Sequence, residues 1–392
     1  MTESDPAGQV PAVGPADTGA RPDGRDLGSQ REGTGRHEHP GRQPAAERRR
    51  DTVATLIGAL GVTLFSLVFI ASFIGALHKP GPRGVPVGIV GTPGNAASLS
   101  AALGRAVPGG FTVTSYQSEQ AARNAILHRG ADAALVPGHQ QVLLVASAAG
   151  AALTQDTVQA FTGVAKAAGV PLTTQNIHQL PANDPQGLSQ VFFVTALLAP
   201  SLAFGELLIS RFGKRMHPLR QLALIPIYAV IVAAVAVAIA DPGIGALRGA
   251  PWGMFGIGTL LAFAAAVTSA AATRWGKGLG HAVILLLFIP VGIAASGTTL
   301  GPKLITPWYA DLGHALLPGA ALPAVQNIVY FNGDAITTQM IVLSAWAAAG
   351  AIALALTMFI RRPVATVPEP RPPADDAVAA ARSAPQHGHA GS

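Results

Sequence analysis

The sequence predicts an α-helical polytopic membrane protein, with six transmembrane helices and a small α/β extracytoplasmic domain inserted between the first two. Three observations favour this fold class. Hydrophobic residues make up 49% of the 392 residues and charged residues only 12%, which is about half the charged share of a soluble domain. Six long apolar runs are present, and one region of short apolar runs and interspersed charge interrupts them. Basic residues cluster in alternate loops.

The first predicted span is Thr52–Leu77, where no charged residue interrupts 26 positions. A helix of this length rises roughly 39 Å, enough to cross a hydrocarbon core of about 30 Å. The run is too long, and too far from the N-terminus, for a cleaved signal peptide. Residues 1–50 and 363–392 carry few large aliphatic side chains, so we expect disordered cytoplasmic tails there.

Residues 78–188 differ in kind from the spans and predict an α/β domain in the order β-α-β-α-β-β-α. Alternating or short continuous apolar runs indicate its strands, and apolar residues at helical spacing indicate its helices. The predicted strands are Val85–Val90, Phe111–Tyr116, Ala131–Val136 and Val142–Ala146, and the predicted helices are Ala96–Ala106, Glu119–Arg129 and Thr154–Ala168.

Residues 189–362 are predicted to hold five further spans. These are Val191–Ile209, Leu222–Ala240, Trp252–Ala272, His281–Ser296 and Thr338–Ile360. Gly253, Gly256 and Gly258 would allow neighbouring helices to approach closely, as small residues do in membranes. The alternative is that they only reflect an Ala- and Gly-rich composition, and both interpretations stay open.

The loop charges predict the orientation of the chain. The loops on one side of the six spans hold eleven Lys and Arg residues, and the short loops on the other side hold two. The positive-inside rule then places both termini in the cytoplasm, with the α/β domain and residues 297–337 outside the plasma membrane. The net charge of +6 therefore indicates contact with anionic lipid and is poor support for a nucleic-acid partner.

The chain shows no pattern typical of an enzyme or of a resident cofactor. It has no cysteine, which excludes thiolate catalysis and Cys-bound zinc. Neither Gly213-Lys214 nor Gly276-Lys277 is followed by Ser or Thr, so there is no phosphate-binding loop of the ATPase kind. No catalytic constellation or metal-ligand spacing stands out, and the paired histidines of the two tails are too isolated to predict a metal site.

Glu206 is the only charged residue within a predicted span. Intramembrane acidic residues often mark ion pathways. Glu206 lies about one turn from the cytoplasmic helix end and near Arg211, so it either pairs locally at the interface or lines the inner mouth of a pathway. One such group is weak support for ion coupling.

Residues 297–337 are apolar yet contain four prolines, at 302, 307, 318 and 323. Proline stops a continuous helix, and broken helices at membrane depth occur only where protein or a cavity surrounds them. Trp308 suits an interfacial position. The segment is either an ordinary interfacial loop or a set of short helices that caps a pathway, with Pro307, Trp308 and Pro318 as candidate gate residues.

This segment resembles the region before the last span of ABC type-2 transporter permeases. The resemblance rests on Ser296-Gly297, Pro307-Trp308, Leu317-Pro318 and the short predicted helix Ala324–Tyr330. The domain between the first two spans is similar to the branch that includes phage infection protein, through the stretches at 122–138 and 141–150.

The resemblance implies a permease that exports a hydrophobic or amphipathic compound, as a homodimer or with a similar permease, using a separate ATP-binding subunit. It implies that the loop with Arg211, Lys214, Arg215 and Arg220 contacts that subunit, although the positive-inside rule alone also explains these charges. The alternative function is a non-transporting envelope receptor or scaffold whose external domain binds a ligand, phage or partner protein.

Overall fold

The computed structural model describes residues 45–213, 215–216, 218–298 and 300–360. Both predicted tails, up to residue 44 and from residue 363, lie outside this part of the chain. The contacts divide the chain within its first helix, into residues 1–57 and 58–392. The sheet, the site and the contacts described below belong to residues 58–392.

The first helix, α1, runs over Ala45–Leu77 and contains the predicted first span. The prediction that disorder extends to residue 50 is wrong at its end, because residues 45–50 are helical. This stretch contains only Ala, Glu and Arg, which all have high intrinsic helix propensity. The phenyl rings of Phe69 and Phe73 stack with centroids 4.5 Å apart.

The region after α1 forms a five-stranded sheet with three helices. Its elements are β1 Val85–Val90, α2 Pro93–Ala106, β2 Phe111–Tyr116, α3 Glu119–Leu127, β3 Ala133–Val136, β4 Gln141–Val145, α4 Ala151–Ala167 and β5 Leu172–Asn176. The strand order is β2-β1-β3-β4-β5. All neighbouring pairs are parallel except β3 and β4, so the sheet is mixed.

Local sequence explains most of these elements. Thr92 accepts a hydrogen bond from the Asn95 N–H while the Asn95 side chain accepts one from the Thr92 N–H, and this capping box begins α2. Strand β1 is buried at Val85 and Val87, as its apolar run predicts. Strand β5 is absent from the prediction, because Thr173, Thr174 and Gln175 are exposed and only pairing with β4 makes this polar stretch a strand.

The rest of the described chain is helical. Its helices are α5 Ser189–Phe212, α6 Pro218–Ala238, α7 Pro251–Leu286, α8 Gly292–Ala295, α9 Pro307–His314, α10 Leu317–Tyr330 and α11 Thr337–Ile360. By length and composition, five helical segments of the described residues are able to cross a membrane, namely Arg49–Leu77, Ser189–Phe212, Leu219–Gly243, Pro251–Ala295 and Thr337–Thr357.

The fourth of these segments is not one straight helix. Lys277 has φ 54° and ψ −138°, outside the helical region. Ser269 Oγ lies 3.0 Å from His281 Nδ1, although twelve residues of straight helix would separate the two by about 18 Å. At Gly280 a Cβ atom would stand only 2.0 Å from the Ala272 carbonyl oxygen. The chain therefore reverses near Lys277, which brings residues 280 and 281 back beside residues 269–272, between the two spans predicted here.

The largest apolar core lies among these helices. Leu197 and Leu202 of α5, Leu261 of α7, Phe288 beyond the reversal and Leu317 of α10 are all buried within it. A second core fills the sheet domain, and Leu304 of the segment after α8 packs into it. The sheet domain thus shares its core with the proline-rich segment.

Candidate functional site

The proline-rich segment 297–337 forms short helices that begin at three of its four prolines, whereas the break predicted at Pro323 is wrong, because Pro323 lies inside the continuous helix α10. Pro302 opens a single 3₁₀ turn, Pro307 opens α9, and Pro318 lies in the first turn of α10. Proline fits there because the first turn of a helix needs no N–H donor. We call residues 297–337 the broken segment, and their role as a gate stays a prediction.

The broken segment is attached to the end of α1. Thr306 donates its hydroxyl to the Gly75 carbonyl at 3.0 Å and its N–H to the Ala76 carbonyl at 3.2 Å. The Tyr309 ring fills the space beside Gly75, where a Cβ would lie 3.0 Å from the ring. Trp308 remains 58% exposed, and the centroid of its ring lies 3.7 Å from the centroid of the Tyr309 ring.

A buried charge cluster joins the broken segment to the sheet domain. Lys303 Nζ lies 2.5 Å from Asp132 Oδ2, and Arg129 Nη1 lies 3.6 Å from Asp132 Oδ1. The Asp132 side chain is only 5% exposed and that of Arg129 14%. The Arg129 guanidinium also stands 4.7 Å from the centre of the Phe331 ring. We call Arg129, Asp132, Lys303 and Phe331 the junction cluster.

Further bonds extend the same interface. His128 Nδ1 lies 2.7 Å from Asp334 Oδ2, and Gln326 Nε2 donates to the Ala148 carbonyl at 3.0 Å. On the other side of the broken segment, Trp346 of α11 donates its indole N–H to the Ala315 carbonyl at 2.8 Å. The broken segment therefore contacts α1, the sheet domain and the last helix.

A small cavity of about 70 Å³ lies beside the junction cluster, lined by Arg129, Lys303, Gln190, Gln326 and Gly150 among others. Arg129 Nη1 and Gln190 Oε1 are buried, and neither has a hydrogen-bond partner among the described residues. Burial lowers the pKa of Arg129, and the Asp132 carboxylate acts in the opposite direction. The sequence pattern indicates none of these residues, because they lie on separate elements that only the fold brings together.

Beside the cavity, Asp184 caps the N-terminus of α5. Its two carboxylate oxygens each accept a 2.9 Å bond, from the N–H groups of Leu188 and Ser189. Burial and the Asp184 charge raise the pKa of Tyr330 to about 12. Tyr330 therefore stays protonated at physiological pH, and its buried hydroxyl has no partner among the described residues.

The predicted docking residues lie around the connection between α5 and α6, with Arg211 in the last turn of α5 and Arg220 near the start of α6. Arg211, Arg215 and Arg220 are exposed, and Lys214 lies outside the described residues. Two bonds brace this loop: Gln221 Nε2 donates to the Met216 carbonyl at 2.9 Å, and an Arg274 guanidinium N–H donates to the Gly213 carbonyl at 3.3 Å. The exposed guanidinium groups are accessible to a partner or to lipid headgroups.

Glu206 is half-buried on α5. Its charge acts on His281, which the sequence indicates only as the first residue of a predicted span. Ser269 links the two helices, because its hydroxyl donates to the Leu202 carbonyl at 2.7 Å beside the His281 ring. Within the described ranges, no three His, Asp or Glu side chains are grouped closely enough to hold a metal ion.

Comparisons with known proteins identify no relative of this chain. No protein-family model, curated protein or solved structure matches the chain. A function for the chain therefore has to be inferred from the broken segment, the junction cluster and the exposed basic loop.

Proposed function

We propose that the chain is the membrane permease subunit of an ABC-type exporter, which moves a hydrophobic or amphipathic compound with energy from a separate ATP-binding subunit. The observation that carries this proposal is the placement of the broken segment. It contacts α1 through Thr306, the sheet domain through Lys303, and α11 through Ala315. A segment bonded to all three has to shift when the helices shift, as an external gate must.

The permease has six spans in this proposal, with both termini in the cytoplasm of the plasma membrane. The reversal at Lys277 supports the sixth span, because it divides the segment Pro251–Ala295 into two antiparallel arms. The eleven basic residues on one side support the orientation. The sheet domain then lies outside.

Cysteine labelling tests this topology directly, since the native chain has no cysteine. Gly213→Cys and Gly278→Cys are expected to react with a membrane-impermeant maleimide only after the cells are opened. Gln140→Cys is expected to react in intact cells. All three positions lie in exposed or partly exposed loops. Labelling of Gly278→Cys in intact cells, or its protection in opened ones, would contradict the six-span arrangement.

The basic loop is the proposed contact for the ATP-binding subunit. Replacing Arg211, Arg215 and Arg220 together by Gln removes three exposed charges, so we expect at least tenfold less ATPase to co-purify with the tagged protein in mild detergent. Charged pairs at interfaces govern association in this way. The recovered ATPase is quantified by activity and by mass spectrometry.

A matched control removes the same charge elsewhere. Arg83, Arg105 and Lys166 are exposed residues of the sheet domain and its approach, and their replacement by Gln should leave co-purification unchanged. An equal loss in both triple variants would indicate a general charge effect. Repeated failure of the wild-type chain to recover any ATPase would count against the permease and favour an envelope receptor.

Pairing with a second copy, or with a similar permease, completes the proposal. The later part of α1 leaves large apolar side chains exposed, including Leu60, Leu64 and Leu67. Its end, around Ala71 and Ala76, packs against α8 and the broken segment. Lipid alone satisfies such a surface, and a second copy would cover it while adding helix-helix packing.

A further inference from the structure

The cavity beside the junction cluster combines two features that seldom occur together in a protein interior. It is lined by Arg129 and Lys303, which carry two positive charges, and the one carboxylate that pairs with both is Asp132. These three groups therefore sum to one positive charge. Arg129 is largely buried, whereas Lys303 is 34% exposed and also reaches water, so a bound anion would balance charge mainly at Arg129.

The second feature is the set of hydrogen-bonding groups without partners. Gln190 is only 7% exposed, lines the cavity and has an unpartnered amide oxygen. Arg129 lines the same cavity, and its Nη1 atom is buried without a hydrogen bond among the described residues. Because leaving a buried polar atom unpaired costs about 1–3 kcal/mol, these atoms point to an occupant.

Helix α4 begins at the same cavity. Gly150 is its N-cap, has φ +140° and provides no side-chain hydrogen bond, and it lines the cavity together with Leu153. The first N–H groups of an α-helix have no partner within the helix, and they carry the positive end of its dipole. Helix N-termini of this kind commonly bind anions.

Arg129 is held in place for such a role. It has φ +63°, a left-handed conformation that is rare for residues with a side chain. The Asp132 carboxylate and the Phe331 ring fix its guanidinium from two sides. The left-handed angle belongs to the end of α3, where the Gly130 N–H donates to the Ala125 carbonyl at 2.7 Å and the Arg129 N–H to the Ile126 carbonyl at 3.2 Å, a common helix C-terminal arrangement.

We propose that this cavity is a binding site for a small oxyanion, a phosphate or a carboxylate group. Arg129 Nη1 and the first turn of α4 would donate to its oxygens, and Lys303 would balance its charge. Gln190 would donate through its amide nitrogen, since the two ends of an amide are interchangeable in a structure. The volume of about 70 Å³ corresponds to several water-sized positions, which is room for an oxyanion group. This site does not depend on the proposed transport function.

The test measures heat unfolding of the purified full-length chain in nonionic detergent, against inorganic phosphate and separately acetate. Ionic strength is held constant with sodium chloride. We expect a saturable rise in Tm with at least one of the two anions, as a ligand that binds only the folded state produces. Soluble dioctanoyl phosphatidylglycerol, compared with dioctanoylglycerol, shows whether a lipid headgroup is the source of the oxyanion.

Two variants locate the site. Arg129→Gln should weaken the apparent anion affinity at least tenfold. Gln190→Glu places a carboxylate inside the cavity with Arg129 intact, so it should raise the Tm without anion and abolish the response. Lys166→Gln removes an exposed charge from the last turn of the same helix α4 and should keep the wild-type affinity within twofold.

A response to free phosphate or acetate, or only to the phosphate-bearing lipid, supports the site if Gln190→Glu abolishes it. If Arg129→Gln does not fold, the Gln190→Glu result decides. The proposal is overturned if the wild-type Tm responds to no oxyanion beyond the sodium chloride reference, which would mean that water alone fills the cavity. It is equally overturned if Gln190→Glu responds like the wild type.

Discussion

Asp132→Asn is expected to lower the free energy of unfolding by on the order of 3 kcal/mol, the cost of breaking a buried ion pair from one side. The substitution leaves Arg129, with 14% of its side chain exposed, and Lys303 without their shared carboxylate. Lys303 is 34% exposed and can reach water, so most of the cost comes from Arg129. Because Asp132 belongs to the sheet domain, we also expect the sheet domain to separate more easily from the broken segment.

Two measurements check this expectation. Heat unfolding in detergent reports the stability, and hydrogen exchange of the 3₁₀ turn at Pro302–Leu304 reports the attachment. Glu119→Gln is the matched control, because it removes a carboxylate from an exposed pair with Arg123, where an ion pair contributes only about 0.3–0.5 kcal/mol. Equal stability of the two variants would show that the junction cluster does not hold the domains together.

A double-mutant cycle measures the energetic coupling between Asp132 and Lys303. Lys303→Met keeps the length of the side chain while removing its charge. If the 2.5 Å contact between Lys303 and Asp132 stabilises the junction, the double variant loses less stability than the sum of the single variants. Additive effects would assign the stability to Arg129 alone.

The elements that local sequence dictates were predictable. Strands β1 and β2 match the predicted ranges, and α1, α5, α6 and α11 contain the predicted spans within a few residues, because apolar period and length determine them. Strand β5 pairs only with β4 in the described sheet, and its polar residues carry no local signal. The start of α1 was predicted wrongly for the opposite reason, since low hydrophobicity there hid high helix propensity.

The site was predictable only where one residue type is decisive. Proline lacks a backbone N–H, so the helix starts at Pro307 and Pro318 follow from sequence, whereas Pro323 lies inside α10, where the predicted break is wrong. Asp132 and Lys303 are 171 residues apart in the chain, and nothing near either residue indicates the other. His281 is similar, because its proximity to Ser269 depends on the reversal at Lys277.

The three glycines predicted to allow close helix approach differ from one another in the structure. Gly253 and Gly258 do lie against neighbouring helices, since an added Cβ would stand 2.6 Å from an Ile328 methyl and 3.2 Å from a Leu197 methyl. Gly256 faces open space, with no atom within 4 Å of such a Cβ. Composition alone does not distinguish these three positions, because the distinction lies in the partner helix.

Among glycine-to-alanine variants of the helices, Gly205→Ala is expected to give the largest loss of stability. A Cβ at Gly205 would stand 2.1 Å from the Ala266 carbonyl oxygen and 3.0 Å from the Ala270 nitrogen. Both atoms belong to the backbone of α7, so no side chain can turn aside and the helices α5 and α7 have to separate. Overpacking costs about 1–3 kcal/mol even where side chains adjust, and we expect at least the upper end here.

Two comparison variants allow the three proteins to be ranked by their Tm in detergent. Gly256→Ala should unfold at or above the wild-type temperature, because its Cβ meets nothing and Ala favours the helix by about 1 kcal/mol. Gly258→Ala should fall between the two, since the Leu197 methyl can move. A Gly205→Ala protein as stable as Gly256→Ala would mean that α5 and α7 are not packed backbone to backbone.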